Sequence, residues 1–240
     1  TQGVSSAASD VYKRQLAYSS GGGSDESPQT FTYTLTAIPA FISVFKADGS
    51  TPVNVNTSIT LTELQGLKYK TIANANGTGN LSWTVQDSGG TSNGGSDTLI
   101  QSVAITVTPV NDAPVQTGTA PSSISVLEDS ANSSAASLGL SSLAYSSGGG
   151  TNESSQTLTY TITAIPAFIN VFKADGSTQV NTNTSLTLTE LQGLKFKTIT
   201  NANGTGNLSW TVQDSGGISN GGNDTLIQSL AITVTPVNDA

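Results

Sequence analysis

The sequence predicts an all-β chain built as two tandem antiparallel β-sandwiches, and three observations carry that expectation. Apolar residues alternate with Thr and Ser at period two over short runs. Clusters of Gly, Asn and Asp punctuate those runs as turns do. The chain also repeats itself: residues 16–113 align with 143–240 at a spacing of 127, and of the 98 pairs 14 differ, so 84 are identical.

Each element follows from the same reading. Thr30–Ala37 places Phe31, Tyr33 and Leu35 on one face and Thr on the other. Leu81, Trp83 and Val85 alternate likewise, as do Val103, Ile105 and Val107, while Ser58–Leu61 and Leu67–Ile72 add shorter strands. Gly21–Gly23, Asp48-Gly49, Asn76-Gly77, Ser88–Gly90 and Asn93–Gly95 are the turns between them. Thr62–Gly66 (TELQG) is a short helical turn, and no segment holds a 3.6-residue period for three turns. Trp83 and Tyr33 alternate with apolar neighbours and belong to the core. Tyr18, beside a glycine loop, is the aromatic expected at the surface.

The repeat implies two domains, residues 1–112 and 113–240. Ala113–Leu127, with its alternating Ile124 and Val126, has no counterpart ahead of Thr1. The first domain is therefore expected to lack its first strand, to show an open sheet edge and to borrow a strand from a neighbour. Both ends fall inside the repeating pattern, so a longer array is the expected parent. Asp10–Gln15 (DVYKRQ) stands where the second copy has Leu138–Ser142 (LGLSS). It reads as foreign to the repeat, and no function is placed on it.

Composition narrows the function classes. Charged residues make up 10% of the 240, against about 25% in an ordinary domain, which argues against long surface helices. A net charge of −8 argues against nucleic acid and anionic membrane and suits a chain that holds cations. The chain has no Cys and no His, which removes disulfides, thiolate sites and imidazole chemistry. No apolar run approaches a membrane span. Carboxylate pairs such as Asp25-Glu26 sit on glycine-rich loops rather than at a fixed separation, so no enzymatic function is expected. Gly21–Gly23 has no following Lys and is no phosphate loop. Gly94–Leu99 and Gly221–Leu226 each carry one glycine-aspartate piece, which reads as a hairpin loop.

The join Val107-Thr-Pro-Val-Asn-Asp-Ala-Pro114, with the upstream Trp83-Thr-Val-Gln-Asp87-Ser-Gly-Gly90, resembles the cadherin-like tandem repeats of large bacterial surface adhesins. The resemblance covers residues 16–240. It implies Ig-like sandwiches stacked end to end at the cell surface, with calcium as a structural ion at the junctions. Calcium takes six to eight oxygen ligands from carboxylates, amides, backbone carbonyls and water. By that resemblance Asn111 and Asp112 match the Asn-Asp of the junction motif. Asp214 matches an aspartate on a loop towards the preceding domain. Asn152 and Glu153 sit where the family places an Asp-x-Asp pair, although there is no second Asp here. Glu128 and Asp129 match an early glutamate site that would face the next junction with Asn238 and Asp239. The family's Leu-Asp-Arg-Glu motif is missing, with Glu63 and Glu190 its nearest candidates.

Each of these also has an ordinary reading: a capping turn for Asn-Asp-Ala-Pro, a hairpin turn for Asp87 and Asp214, solvated loops for the two acidic pairs. The function expected is that of a non-enzymatic, extracellular adhesin segment whose repeats act as calcium-stiffened spacers. Its expected partners are the neighbouring repeats of the same chain and a surface ligand such as carbohydrate, with neither nucleic acid nor direct membrane insertion. The alternative is a carbohydrate- or protein-binding module using the Gly-rich loops, for which an exposed Tyr18 and Tyr145 would be the signature.

Overall fold

Alternation becomes strands at most places where it was read; of Ser58–Leu61 only Ser58–Ile59 is a strand, because Thr60 caps a short helix that begins at Leu61. The computed structural model describes residues 16–24, 26, 28–131 and 133–238, so Asp10–Gln15, Asp25 and Asp239 lie outside the described residues. The chain divides into two compact units, the first running to Pro109 and the second from Val110. Among the described residues no helix is long and apolar enough to cross a membrane.

In the first unit the strands are β1 (Phe31–Ala37), β2 (Ile42–Phe45), β3 (Pro52–Val53), β4 (Ser58–Ile59), β5 (Lys68–Thr71), β6 (Gly77–Asp87) and β7 (Thr98–Val107). They form two antiparallel sheets in the orders β4-β1-β6-β7 and β3-β2-β5. Tyr33, Leu35, Trp83 and Val85 from one sheet meet Ile42, Val44 and Val53 from the other in a single apolar cluster. Their alternate Thr and Ser neighbours lie on the outer face and pair across strands, as Thr78 and Thr106 do at 3.0 Å between hydroxyls.

The second unit holds β8 (Val115–Gln116), β9 (Ile124–Leu127), β10 (Ala136–Ser137), β11 (Tyr145–Ser146), β12 (Leu158–Ala164), β13 (Ile169–Phe172), β14 (Gln179–Val180), β15 (Ser185–Leu186), β16 (Lys195–Thr198), β17 (Gly204–Asp214) and β18 (Thr225–Thr235). Its sheets run β15-β12-β17-β18-β9 and β10-β16-β13-β14, with β8 and β11 forming a separate pair. Every pairing is antiparallel except one. β9 runs parallel to β18, because its chain enters the sheet from the same end at which β18 begins.

The TELQG turn forms α1 (Leu61–Gln65) in the first unit and α2 (Leu188–Gln192) in the second. Each is closed by a capping box: the Thr60 hydroxyl accepts from the Glu63 N–H while Glu63 accepts from the Thr60 N–H, and Thr187 with Glu190 repeats the arrangement. One apolar side chain per helix, Leu64 or Leu191, is buried, which anchors so short a helix.

Trp83 and Trp210 are core residues, as expected. The exposed tyrosines are not found. The indole N–H of Trp83 donates to the Tyr18 hydroxyl at 2.9 Å, and that of Trp210 to the Tyr145 hydroxyl at 3.1 Å. The rings of Tyr18 and Tyr145 stack at a tilt on Tyr33 and Tyr160. A buried indole needs an acceptor for its N–H, and these phenols supply it.

Candidate functional site

The second unit begins with an extended segment, Val110–Pro114, laid against the loops at one end of its five-stranded sheet. β17 delivers Asp214 to that end, opposite Leu158 at the start of β12. A 3-10 turn over Thr151–Glu153 turns Glu153 inward and leaves Asn152 exposed. Glu153 retains 2% of its surface and Asp214 5%. Carboxylates almost never reach such burial without partners.

The partners present come largely from the entering segment. The Asn111 side-chain amide donates to Asp214 Oδ1 and to the Asn223 carbonyl, both at 2.9 Å. Its Oδ1 accepts from Gln156 Nε2 at 2.7 Å, and the Asn111 carbonyl accepts the Asn223 N–H. The Asp112 N–H donates to Glu153 Oε1 at 3.0 Å. Asp214 Oδ1 also accepts from the Gly216 N–H at 2.8 Å, and the Ser147 hydroxyl donates to the Glu153 carbonyl at 2.7 Å. Glycine makes the approach possible: Gly148 sits at φ +92° with its Cα against the Ala113 carbonyl, where a Cβ would collide.

Three buried oxygens have no hydrogen-bond partner: Glu153 Oε2, Asp214 Oδ2 and Gln156 Oε1. Burial pushes the Glu153 carboxyl above the ordinary glutamate value, and the charges of Asp112 and Asp214 add to the rise, against the pull of the Asp112 N–H. So a like-charged, partly unsatisfied oxygen cluster brackets the segment that enters the unit. Among the described residues no three Asp or Glu side chains form a metal-holding group by themselves. The donor set here is two carboxylates supplemented by amide and carbonyl oxygens, all hard oxygen donors of the kind calcium takes.

Of the residues singled out from the sequence, Asn111, Asp112, Glu153 and Asp214 come together, and Asn152 stays outside. Glu128, Asp129 and Asn238 lie at the opposite end of β18, about 30 Å away along an eleven-residue strand. There Glu128 is buried with both oxygens occupied: Oε1 accepts from the Val237 N–H at 2.6 Å and Oε2 from Asn203 Nδ2 at 3.2 Å. Asp129 takes a left-handed turn at φ 64°, and Asn238 is exposed. Gln156, Ser147 and the Asn223 carbonyl belong to the site and were not legible in advance. A lone Gln in a polar loop carries no periodic signal.

The first unit holds counterparts of the cluster 127 positions earlier. Glu26 Oε2 accepts from the Gly22 N–H at 2.7 Å, Asp87 Oδ1 accepts from the Gly89 N–H at 2.8 Å, and Gln29 Oε1 is again buried without a partner. Glu26 and Asp87 are only half-buried there. The positions corresponding to Asn111 and Asp112 fall ahead of Thr1.

Fold and site together define an all-β, two-unit chain with a buried oxygen cluster where its second unit begins. No protein-family model matches the chain, and no curated protein matches it. Among solved structures it is similar to mouse cadherin-23 EC22-24, with a TM-score of 0.33 and 17% identity over 86% of this chain and 52% of that one. It is also similar to zebrafish RET cadherin-like domains 1 to 4, at TM-score 0.27 and 12% identity over 88% and 42%. The third is human mucin-like protocadherin EC1-2, at 0.27 and 15% over 87% and 85%. The chain thus spans about half the length of the mouse chain and two fifths of the zebrafish one.

Proposed function

We propose that this chain is a segment of a non-enzymatic, extracellular adhesion protein, and that the Glu153–Asp214 cluster holds a calcium ion. The observation that carries the reading is the pair of unpartnered oxygens, Glu153 Oε2 and Asp214 Oδ2, buried beside each other's charge. Such a pair is unfavourable by itself and becomes favourable when a cation joins it.

Glu153, Asp214 and the Gln156 amide would hold the ion, with Asp112 contributing from the entering segment. Calcium supplies the positive charge and takes hard oxygen ligands. This chain's own residues do the mechanical work. Asn111 and Asp112 already tie Val110–Pro114 to the β12–β17 end, and neutralising Glu153 and Asp214 strengthens that attachment. Fixing the segment that leads into a repeat is what makes a row of repeats a stiff spacer, with neighbouring repeats as partners and a surface ligand carried further along. Binding through the Gly-rich loops is disfavoured, because Tyr18 and Tyr145 spend their hydroxyls on buried tryptophans.

The test is calorimetric titration of the full chain with calcium and, separately, with magnesium. A parallel series uses a Glu153→Gln/Asp214→Asn variant, with hydrogen exchange read at the Asp112 amide. Saturable calcium binding at about 10⁻⁴–10⁻³ M is expected, as in extracellular modules. It should be lost in the variant and accompanied by slower exchange at Asp112. Binding that the variant leaves unchanged overturns this site, and no binding at all overturns the reading.

A further inference from the structure

Every lysine of residues 16–240 belongs to one sheet of its unit or to the residue next to it. Lys173, Lys195 and Lys197 are the basic residues of 113–240: Lys195 and Lys197 stand on β16, and Lys173 follows β13 directly. Lys46, Lys68 and Lys70 repeat the arrangement at β2 and β5. A chain of net charge −8 thus gathers its cations beside one sheet in each repeat.

The pairing register shows which face they occupy. On β16 the alternation buries Phe196 and Thr198 and turns Lys195 and Lys197 outward. Lys195 lies opposite Phe172 and Lys197 opposite Asn170, while Gln179 of β14 continues the row beyond Phe172. The Lys197 ammonium sits over the Phe172 ring, 5.2 Å from its centroid, as the Lys70 ammonium sits 4.7 Å from that of Phe45. A ring face steadies an ammonium without neutralising it. Gln179 Nε2 donates to Asn170 Oδ1 at 3.3 Å, which sets two amides beside the lysines.

Carboxylates do not answer these charges. Lys173 pairs with Glu190 and Lys46 with Glu63, but Lys68, Lys70, Lys195 and Lys197 form no ion pair among the described residues. Asp175, in the turn beside the Lys195 stem, is engaged by the Ser177 and Thr178 N–H groups and the Thr178 hydroxyl. Two ammoniums about 6.6 Å apart along one strand repel each other and are stabilised when an anion spans them.

We propose that this outward face of β13, β14 and β16, and its copy on β2, β3 and β5, binds an acidic polysaccharide bearing carboxylates at sugar intervals. Lys195 and Lys197 take the carboxylates, and the Asn170 and Gln179 amides take sugar hydroxyls. The proposal names a ligand for the repeats themselves; it rests on the extracellular reading and not on calcium. Charge density selects the occupant. A nucleic acid carries one charge per about 1.7 Å of duplex, too dense for two cations per unit on a chain with surplus acid. Ser43 and Pro52 stand where the second unit has Asn170 and Gln179, so the second unit is the tighter site.

The test titrates a sodium hyaluronate oligosaccharide into the full chain in chelator and low salt, with calorimetry and nitrogen–proton NMR as readouts. Saturable binding is expected, with shifts at the amides of β16 before those of β5, and it should weaken as salt is added. A variant with Lys68, Lys70, Lys195 and Lys197 all changed to Gln should bind at least about tenfold more weakly, having lost its charge-assisted contacts. The same four positions changed to Arg should keep binding. Four outcomes overturn the proposal: no binding at millimolar oligosaccharide, equal binding by the Gln variant, equal binding of a neutral dextran oligosaccharide, or tighter binding of single-stranded DNA. Calcium titration of the same sample separates the two readings, because calcium binding without hyaluronate binding removes this proposal alone.

Discussion

Asn111 and Asp214 are 103 residues apart in the chain and are joined by a 2.9 Å hydrogen bond from the Asn111 amide to Asp214 Oδ1. The bond leaves Asp214 Oδ2 buried and unpartnered. The entering segment therefore half-satisfies the cluster: it contributes N–H donors to one oxygen of each carboxylate and nothing to the other. Half-satisfied buried networks are costly and are well suited to being completed by a ligand.

Glu153→Gln should stabilise the second unit in chelator and destabilise it, relative to the parent, in calcium. The native carboxyl titrates above its ordinary value, so folding is favoured by this group at low pH. That contribution declines as pH rises through the native value. Removing the charge should gain on the order of 1 kcal/mol in chelator, the low end of what an unsatisfied buried polar atom costs. In 10 mM calcium the parent should instead gain about 1.4 kcal/mol for a dissociation constant of about 1 mM. Urea denaturation in both buffers reads the crossing; a variant weaker than the parent in chelator contradicts the assignment.

Asn111→Ala deletes the donor to Asp214 and the Asn223 carbonyl and the acceptor for Gln156. A loss of about 2–4 kcal/mol in the attachment of Val110–Pro114 is expected, since buried partners are stranded on both sides. Hydrogen exchange at the Asp112 and Asn223 amides measures it, and these should accelerate by more than tenfold while amides of β1 and β6 stay unchanged. Unchanged exchange at Asp112 would mean that Asn111 does not hold the segment.

Much of the fold was legible because it rests on periods. The Thr-x-Thr alternation of Thr30–Ala37 fixes which face of β1 is buried, and the Thr60–Glu63 spacing encodes its own capping box. The parallel pairing of β9 was not legible, since a four-residue Ile-Ser-Val-Leu run has no sense of direction until its partner is known. At the site, neighbours parted company. Glu153 and Asn152 are adjacent, yet the 3-10 turn sends one inward and the other to solvent. Glu128, expected at an early glutamate site facing the next junction, is buried, but the Val237 N–H and Asn203 use both its oxygens, so it staples the chain's exit from β18. Gln156 was missed because one amide in a polar loop looks like any other.

Tyr145→Phe should cost about 1–3 kcal/mol by stranding the Trp210 indole N–H in a fully buried position. Tyr18→Phe should cost less, since Trp83 keeps a little exposure and water can replace the phenol. The fluorescence-detected urea midpoints of the two single variants test the order. Equal shifts would contradict the expected order, and no shift in either variant would mean that the hydroxyls contribute nothing beyond ring packing.

The capping carboxylates give the chain an acid limb whose sign can be worked out. Lys173 Nζ lies 2.8 Å from Glu190 Oε1, and the Thr187 N–H donates to Oε2 at 2.9 Å. Together, with Lys173 foremost, they hold the Glu190 carboxyl down to about 2 from an ordinary 4.5. Glu63 is held down to about 2 in the same way by Lys46 and the Thr60 N–H. The folded state therefore resists protonation at both sites. Their contribution is complete above about pH 4.5 and is lost as pH falls towards about 2. A Glu63→Gln/Glu190→Gln variant should show a flatter decline of melting temperature across that window, by circular dichroism from pH 6 to pH 2. Adding 0.5 M salt should shrink the difference only in part, because screening weakens the exposed lysine pairs while the capping hydrogen bonds persist. Parallel pH profiles for the parent and the variant would show that the acid limb arises elsewhere in the chain.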